Sequence, residues 1–366
     1  MDATYHWDME SMAETIKRDF VVKESIFGGN HILFRCEKPL NPEENANRLI
    51  NKLSEIDYVP FISQNGEDVL ITVRPQIKTK ESGPGTKHLI LFILTILTTL
   101  WAGTVLLGID LMRNPLLIWK GWPFALAIMT VLGMHELGHY IMSKKRNVVA
   151  TLPFFIPAPN PLLGTFGAVI SMKSPMPDRK SMFDIGISGP VLGLVFAVPV
   201  TIIGLMNSPI DVQLPLDGEQ GVGIALGIPL IYQALIELVP VNLNEGLLHP
   251  VAFAGWVGFF VTFLNLLPVG QLDGGHIARA LLGNWYKYLS GSVPLILFGM
   301  GFVLSTLGYN GTIWIIWGLI GSFFHSVGHP PPLNDISHLD YKRKIAGLLI
   351  FGVMLACFTP VPFQML

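Results

Sequence analysis

The sequence predicts a polytopic α-helical membrane protein of about seven spans with a small soluble α+β domain at its N-terminus. Of the 366 residues, 51% are hydrophobic and 14% are charged, whereas about a quarter of an ordinary soluble domain is charged. After residue 87 the apolar residues form runs of the length that crosses a bilayer, which is about 20 residues. Residues 1–80 alternate polar and apolar positions instead, as a soluble domain does.

Composition also excludes several classes of protein. The net charge of −2 and the absence of a basic run interleaved with aromatic residues argue against a nucleic-acid partner. Two cysteines, Cys36 and Cys357, provide neither a disulfide framework nor a CxxC metal site. The first 20 residues contain no apolar h-region, so we expect no cleaved signal peptide and targeting by an internal span.

The N-terminal domain, residues 1–80, is expected to form a ββαββ module. The predicted strands are 20–26 and 31–36 around a turn at 28–30, then 58–63 and 68–73 around a turn at 65–66. Between the two pairs, Asn41 as cap and Pro42 at the first helical position predict a helix that runs to about residue 56. The module contains no catalytic constellation. We therefore expect an accessory or regulatory head, which a regulatory partner would bind, and a linker at 81–87.

The membrane domain, residues 88–366, holds the predicted spans. They are roughly 88–109, 121–143, 183–206, 250–270, 289–307, 310–328 and 345–363. Basic clusters at 74–87, 144–146, 179–180 and 342–344 belong in the cytoplasm by the positive-inside rule, and the acidic stretch between the third and fourth spans suits the outer side. This predicts a multi-pass protein of the cell membrane with a cytoplasmic N-terminal domain.

The second span contains the sequence His135-Glu136-Leu137-Gly138-His139. Positions i and i+4 share one face of a helix, so both imidazoles can bind one Zn²⁺ while Glu136 lies beside the open coordination position. Ionisable groups inside an apolar span are costly and usually functional. The pattern indicates a zinc hydrolase within a membrane.

A catalytic zinc site needs a third protein ligand. In the soluble pattern HExxHxxGxxH the third His would fall at Lys145, which excludes that pattern. No acidic residue occurs between His139 and Asp178. The remaining candidates are Asp184, Asp273, His276, His325 and His329.

Asp273 is the strongest of these candidates. It follows an apolar run and precedes Gly274-Gly275, where the backbone can approach other groups closely. Asn265 and Pro268 predict an irregular helix, which is tolerated at membrane depth only where protein or a cavity covers it. The second and fourth spans run in the same direction, so Asp273 and the HExxH residues would lie at similar depth.

The segment 221–239 affects this topology. It is apolar enough to span, although Pro229 and Glu237 weaken it. If it crossed, Asp273 would face the other side of the membrane. We interpret it as an interfacial or outer-side helix.

Together, the HExxH residues and 265–275, which read NLLPVGQLDGG, resemble the site-2 protease family of intramembrane metalloproteases. The resemblance covers about 121–280, and the sequences of 164–168 and 183–190 look like the archaeal, cyanobacterial and chloroplast branch. It implies that His135, His139 and Asp273 bind zinc and that Glu136 is the catalytic base. No PDZ-like insertion is present, and the head and the last three spans lie outside the common core.

Five further features carry predictions. Asn265 is either an amide that holds a substrate carbonyl or oxyanion, or the cap of a broken helix. Asp184 is predicted to cap the start of the third span, and His325 and His329 to mark an interfacial helix end. Gly189-Pro190 and Gly193 indicate close helix packing. The stretch 165–170 is predicted to enter the membrane as a hairpin whose edge holds an unwound substrate.

The expected function is intramembrane proteolysis of the transmembrane segments of single-span membrane proteins. A zinc-activated water would attack the peptide bond, and Glu136 would take its proton and pass it to the leaving amine. The alternative is a membrane metal transporter or metal sensor that uses the same His and Asp residues. A general base is needed only by the protease, so the substitution Glu136→Gln distinguishes the protease from the transporter or sensor.

Overall fold

The computed structural model describes residues 9–28, 31–76, 85–208, 224–239 and 248–365. The helices are α1 (Met9–Lys17), α2 (Pro42–Glu55), α3 (Thr86–Leu106), α4 (Trp122–Lys145), α5 (Arg179–Met206), α6 (Leu230–Leu238), α7 (Pro250–Asn265), α8 (Asp273–Leu282), α9 (Tyr286–Thr306), α10 (Thr312–Val327) and α11 (Tyr341–Ala356). The strands are β1 (Val22–Phe27), β2 (Ile32–Glu37), β3 (Tyr58–Asn65), β4 (Asp68–Pro75), β5 (Phe154–Pro157), β6 (Thr165–Val169), β7 (Ile224–Leu226) and β8 (Phe363–Met365). Short 3₁₀ helices at Pro115–Gly121 and Gly283–Trp285 precede α4 and α9.

The head consists of one antiparallel sheet, in the order β1-β2-β4-β3, with α1 and α2 packed against it. The four predicted strands and the predicted helix are confirmed to within two residues at each end. Helix α1 was not predicted. The capping bond expected of Asn41 is wrong, because its side chain accepts no hydrogen bond from the helix, although Pro42 does occupy the first turn. Of the predicted turn at 28–30, residues 29 and 30 lie outside the described residues.

Four helical segments of the membrane domain are long and apolar enough to cross a bilayer: Thr86–Leu106, Pro115–Lys145, Arg179–Met206 and Asp273–Thr306. Two shorter apolar helices are Pro250–Asn265 and Thr312–Val327. A helix occupies each of the seven predicted apolar segments, but helix length supports four spans. Large apolar side chains such as Leu126, Val195 and Leu295 are exposed on the outer faces of these helices, as expected of a surface that contacts lipid.

Helices α4, α5 and α7 form the centre of the membrane domain. Small residues allow their backbones to approach closely. A Cβ on Gly138 of α4 would overlap the Ser188 carbonyl of α5, and one on Gly204 of α5 would overlap the backbone of Ala252 in α7. Close approach of this kind is a common basis of helix association in lipid.

The described part of 221–239 contains β7 and the nine-residue helix α6. Nine helical residues rise about 14 Å, well short of the ~30 Å hydrocarbon core. Strand β7 pairs with β8, and the Tyr232 hydroxyl of α6 donates to the Ala252 carbonyl. This segment is therefore not one continuous spanning helix, in agreement with its predicted interfacial character.

The head is joined to the membrane helices by residues 329–337, which we call the strap. Ile62 of β3 donates to the Leu333 carbonyl (2.7 Å) and accepts from the Asp335 amide (2.9 Å). On the other side of the strap, the amide of Asn334 donates to the Pro177 carbonyl (2.9 Å). The strap thus adds a strand to the free edge of the head sheet and connects it to the residues that lead into α5.

A buried ion pair links the strap to α8. Arg279 of α8 bonds to Asp335, and only 10% and 6% of the two side chains are exposed. Burial raises the pKa of the Asp335 carboxyl, while the Arg279 guanidinium acts in the opposite direction. Each charge thus depends on the other, since an isolated buried charge is strongly unfavourable.

We predict that Asp335→Ala lowers the stability of the protein by about 3–5 kcal/mol, because it leaves the buried Arg279 without a counter-ion. The measurement is the thermal denaturation midpoint of detergent-purified protein. The double variant Arg279→Met/Asp335→Leu removes both charges and should recover most of the loss. Arg113→Ala, which breaks an exposed pair with Asp110, is the control and should change little. A double variant as unstable as Asp335→Ala would contradict the prediction.

Candidate metal centre and active site

The HExxH residues lie in the buried part of α4. His135, Glu136 and His139 are exposed by 5%, 8% and 4%, respectively. Their i, i+4 spacing places the two imidazoles on one face, and the Nε2 atoms of His135 and His139 are 3.2 Å apart. The predicted pairing of the imidazoles is confirmed.

Asp273 reaches the same point from the start of α8. The chain leaves α7 at Asn265, continues as irregular backbone and enters α8 at Asp273, so the predicted interruption of the helix is confirmed. A Cβ on Gly274 would overlap the Leu266 carbonyl, and one on Gly275 would overlap the Gly270 carbonyl. The two glycines therefore let the first turn of α8 fold back against the end of α7.

The three side chains converge on one position. Asp273 Oδ2 is 3.0 Å from His135 Nε2, and Asp273 Oδ1 is 3.1 Å from His139 Nε2. Tetrahedral zinc with bonds of about 2.0–2.1 Å separates its ligand atoms by about 3.3 Å. These donors thus lie close to one face of a zinc tetrahedron, with the fourth position left open. Within the described residues they are the one group of three or more His, Cys, Asp or Glu side chains placed to bind a metal.

Helix α5 positions both imidazoles. The Nδ1–H of His139 donates to the Ile185 carbonyl (2.8 Å), which leaves the lone pair of Nε2 directed at the metal position. A Cβ on Gly189 would overlap the His139 ring, and one on Gly193 would lie 3.1 Å from His135 Nδ1. The predicted close packing at these glycines is confirmed. The groups packed against them are the imidazoles of His139 and His135.

Glu136 lies next to the hairpin formed by β5 and β6, which confirms the predicted pairing of that stretch. Its carboxylate faces the backbone N–H of Ile170, the residue that follows β6. One edge of β6 bonds to β5, and the other edge is turned toward α4. The carboxylate and a free strand edge are thus neighbours.

Asn265 is half-buried at the last position of α7. Its Nδ2 lies 3.3 Å from His135 Nε2. The side chain therefore points at the metal position, which fits an amide that contacts a reacting group better than the cap of a broken helix.

The other candidates lie elsewhere. Asp184 does not cap the third span, so that prediction is wrong. Asp178 does so by accepting from the Ser181 amide (2.6 Å), whereas Asp184 forms ion pairs with Arg146 and Arg343. Both arginines pair with this carboxylate, and both are distant from Asp184 in the sequence.

His325 and His329 have separate partners. His325 Nδ1 is 3.1 Å from Ser290 Oγ. His329 Nε2 is 2.6 Å from His276 Nδ1, and its own Nδ1–H donates to the Pro330 carbonyl (2.8 Å). Burial and the adjacent His276 lower the pKa of His329, so its imidazole is neutral at neutral pH. The contact between His276 and His329 was not predicted. His276 lies one helical turn beyond Asp273 in α8. The only sequence signal for this contact is the i, i+3 spacing of Asp273 and His276.

The sequence of this chain is similar to those of several known proteins. Residues 123–308, just over half of the chain, match the sequence profile of peptidase family M50. The chain is 32% identical to the "Probable zinc metalloprotease EGY1, chloroplastic" of Oryza sativa subsp. japonica, over 66% of this chain and 40% of that protein. The protein of the same name from Arabidopsis thaliana is also 32% identical, over 64% and 42%. "Probable zinc metalloprotease EGY2, chloroplastic" from Arabidopsis thaliana is 28% identical, over 68% and 43%.

The chain thus spans about two fifths of the length of these curated relatives. No solved structure matches it.

We predict that purified protein holds about one Zn²⁺ per chain and that Gly189→Ala weakens this binding by at least about tenfold, because the added methyl group displaces His139. The measurement is zinc retained against a graded chelator series. Gly352→Ala is the matched control, since a Cβ there meets nothing within 4 Å, and it should retain zinc as the unaltered protein does. Equal retention in both variants would show that α5 does not position the ligand.

Proposed function

The chain belongs to peptidase family M50, the site-2 protease family, and we propose that it is an intramembrane zinc endopeptidase. Its proposed substrates are single-span membrane proteins, cut within the bilayer. The observation that carries this proposal is the convergence of His135, His139 and Asp273 beside the carboxylate of Glu136, within helices whose outer faces are apolar. A transporter or sensor would need the three ligands but not an acid held next to a free strand edge.

His135, His139 and Asp273 would hold the zinc ion and leave one position open. When bound, zinc polarises a carbonyl group and lowers the pKa of a water molecule. The side chains around it act on that water and on the peptide. Because Asp273 carries the one carboxylate among the three ligands, it also offsets part of the positive charge of the ion.

Glu136 is the proposed general base. Its carboxylate would accept the proton of the attacking water and pass it to the amine that leaves. The carboxylate faces Ile170 N–H at the strand edge, where the scissile bond would lie. Asn265, with Nδ2 close to His135, would donate to the oxygen on which negative charge develops.

The free edge of β6 is the proposed binding site for the scissile segment. A transmembrane helix hides its peptide bonds in i→i−4 hydrogen bonds, so it must unwind locally before cleavage. An unwound segment leaves its backbone groups unpaired, and strand addition to β6 would satisfy them. Phe166 and Val169 of β6 are 75% and 50% exposed and would contact apolar side chains of that segment.

The proposed setting is a cell membrane crossed or entered by seven helical segments, with the head and the basic clusters in the cytoplasm. Asn147, which follows the basic residues 144–146, lines one cavity with the head residues Tyr58 and Phe61, so this basic cluster and the head would share the cytoplasmic side, as the positive-inside rule requires. The head is proposed to receive a regulatory partner there.

We predict that Glu136→Gln abolishes cleavage, by at least about 10³-fold, while zinc content stays at about one ion per chain. The amide keeps the size of the side chain and removes its basicity. The measurements are cleavage of a reconstituted single-span substrate and metal analysis of the same preparation. Asp273→Asn provides the contrast, because it should reduce both zinc content and cleavage. Cleavage at the unaltered rate by Glu136→Gln would refute Glu136 as the general base, whereas zinc binding without any cleavage by the unaltered protein would favour the transporter.

The proposed orientation makes a separate prediction. In a background without Cys36 and Cys357, cysteines at the exposed positions Lys145 and Lys287 should be shielded in intact cells from a thiol reagent that does not cross membranes. A cysteine at Asn207, at the opposite end of α5, should be labelled. Labelling of Lys287→Cys from outside would invert α9 and contradict the orientation.

A further inference from the structure

We infer that the cleft beneath the head receives the part of the substrate that lies on the head side of the scissile bond, and that Phe61 of the head contacts it there. The inference rests on the proposed function. It assigns to the head a direct part in choosing the substrate.

The cleft begins beside the active site. It has a volume of about 490 Å³, and Ile170, His276 and the strap residues Pro330 and Pro331 lie along its walls. Ile170 is the residue whose N–H faces Glu136. Phe61 of β3 lies at the other end. A peptide that leaves Glu136 in this direction therefore passes beneath the head.

The backbone beyond β6 extends the same free edge into the cleft. The carbonyl of Ser171 accepts from Thr151 N–H (3.0 Å), and the N–H of Lys173 donates to the Val149 carbonyl (2.7 Å), so these groups face the β5 side. Successive residues of a strand direct their backbone groups to opposite edges. The backbone groups of Met172, like Ile170 N–H, consequently face the cleft, and an added strand could continue along them past the scissile bond.

The length of this edge determines how many substrate residues separate the scissile bond from the contact with Phe61. Residues of an extended strand advance about 3.3 Å each, so the five steps from Ile170 to Pro175 cover about 17 Å. Phe61 lies beside the far end of this stretch. Substrate residues about five positions from the scissile bond would thus contact its ring.

The charges around Phe61 determine which substrate residues fit at this end of the cleft. Among the described residues, Lys173 is the one Lys or Arg that lines this cleft, and no Asp or Glu of that part of the chain lines it. The guanidinium of Arg74 lies over the Phe61 ring, 5.5 Å from its centroid. Apolar or uncharged residues suit this end of the cleft, whereas Lys or Arg would meet two cations. Since basic residues commonly flank spans on the cytoplasmic side, this would exclude many membrane proteins as substrates.

The head is held in place for this role. Ile62, next to Phe61, bonds to Leu333 and Asp335 of the strap, and Asp335 is paired with Arg279 of α8. The strap also forms part of the wall through Pro330 and Pro331. Phe61 is thus fixed relative to the helix that supplies Asp273.

The test uses the full chain with Glu136→Gln, so that substrate is bound but not cut, and a photo-reactive phenylalanine analogue at one position at a time. The substrate is a single-span protein that the unaltered protein cleaves. Cross-links are expected from position 166 on β6, to substrate residues near the scissile bond, and from position 61, to residues about five positions away on the head side. Position 25, on the exposed β1 at the far edge of the head sheet, is the control and should give none.

A kinetic test addresses the charges. Two Lys residues placed about five positions from the scissile bond on the head side should raise KM about tenfold relative to two Gln residues, with little change in kcat. The double variant Arg74→Gln/Lys173→Gln should remove most of that difference.

The outcomes are distinguishable. Cross-links from position 166 without any from position 61, or equal KM for both substrates, would overturn the cleft inference and leave the proposed protease intact. If no membrane protein is cleaved and position 166 gives no cross-link, the proposed function fails, and the cleft inference fails with it.

Discussion

The structure depends on burying two imidazoles and two carboxylates among apolar helices. An uncompensated ionisable group in such surroundings is expensive, so it must be paired, hydrogen-bonded or bound to a metal. His135, His139 and Asp273 satisfy this requirement by sharing one position, and Glu136 lies beside them, facing Ile170 N–H. This requirement brings α4, the start of α8 and the hairpin of β5 and β6 to the same point.

Helix α5 makes that convergence possible because it carries glycines where side chains of the neighbouring helices pack against it. Its glycines at 189 and 193 admit the two imidazoles, and a Cβ on Gly186 would lie 2.9 Å from the Cβ of His276 in α8. The same helix supplies the Ile185 carbonyl that orients His139. One surface of α5 is therefore shaped by the two imidazoles of α4 and by the first turn of α8, and larger residues there would push these groups apart.

The head shares this organisation through the strap. Asn334 is fully buried and donates to Asn47 Oδ1 (2.9 Å), while its backbone bonds to Pro177. Backbone hydrogen bonds and the Arg279–Asp335 pair thus connect the head, through the strap, to the residues before α5 and to α8, and Glu43 of the head pairs directly with Lys180 of α5. A cleft that runs from Ile170 to Phe61 is a consequence of this connection, because the strap sets the distance between them.

Much of the architecture and the pairing of the two imidazoles follow from the sequence alone, because both depend on local spacing. Long apolar runs locate the helices of the membrane domain, and the i, i+4 spacing of His135 and His139 fixes their common face. Asp273 was identified because its glycines and the irregular segment before it indicate close backbone approach, supported by the family resemblance. The role of Asp184, the pairing of His276 with His329, the approach of Ile170 to Glu136 and the course of the strap could not be predicted. Each joins residues distant in the chain, and which of several possible partners a charge or a strand edge meets is decided only when the helices pack.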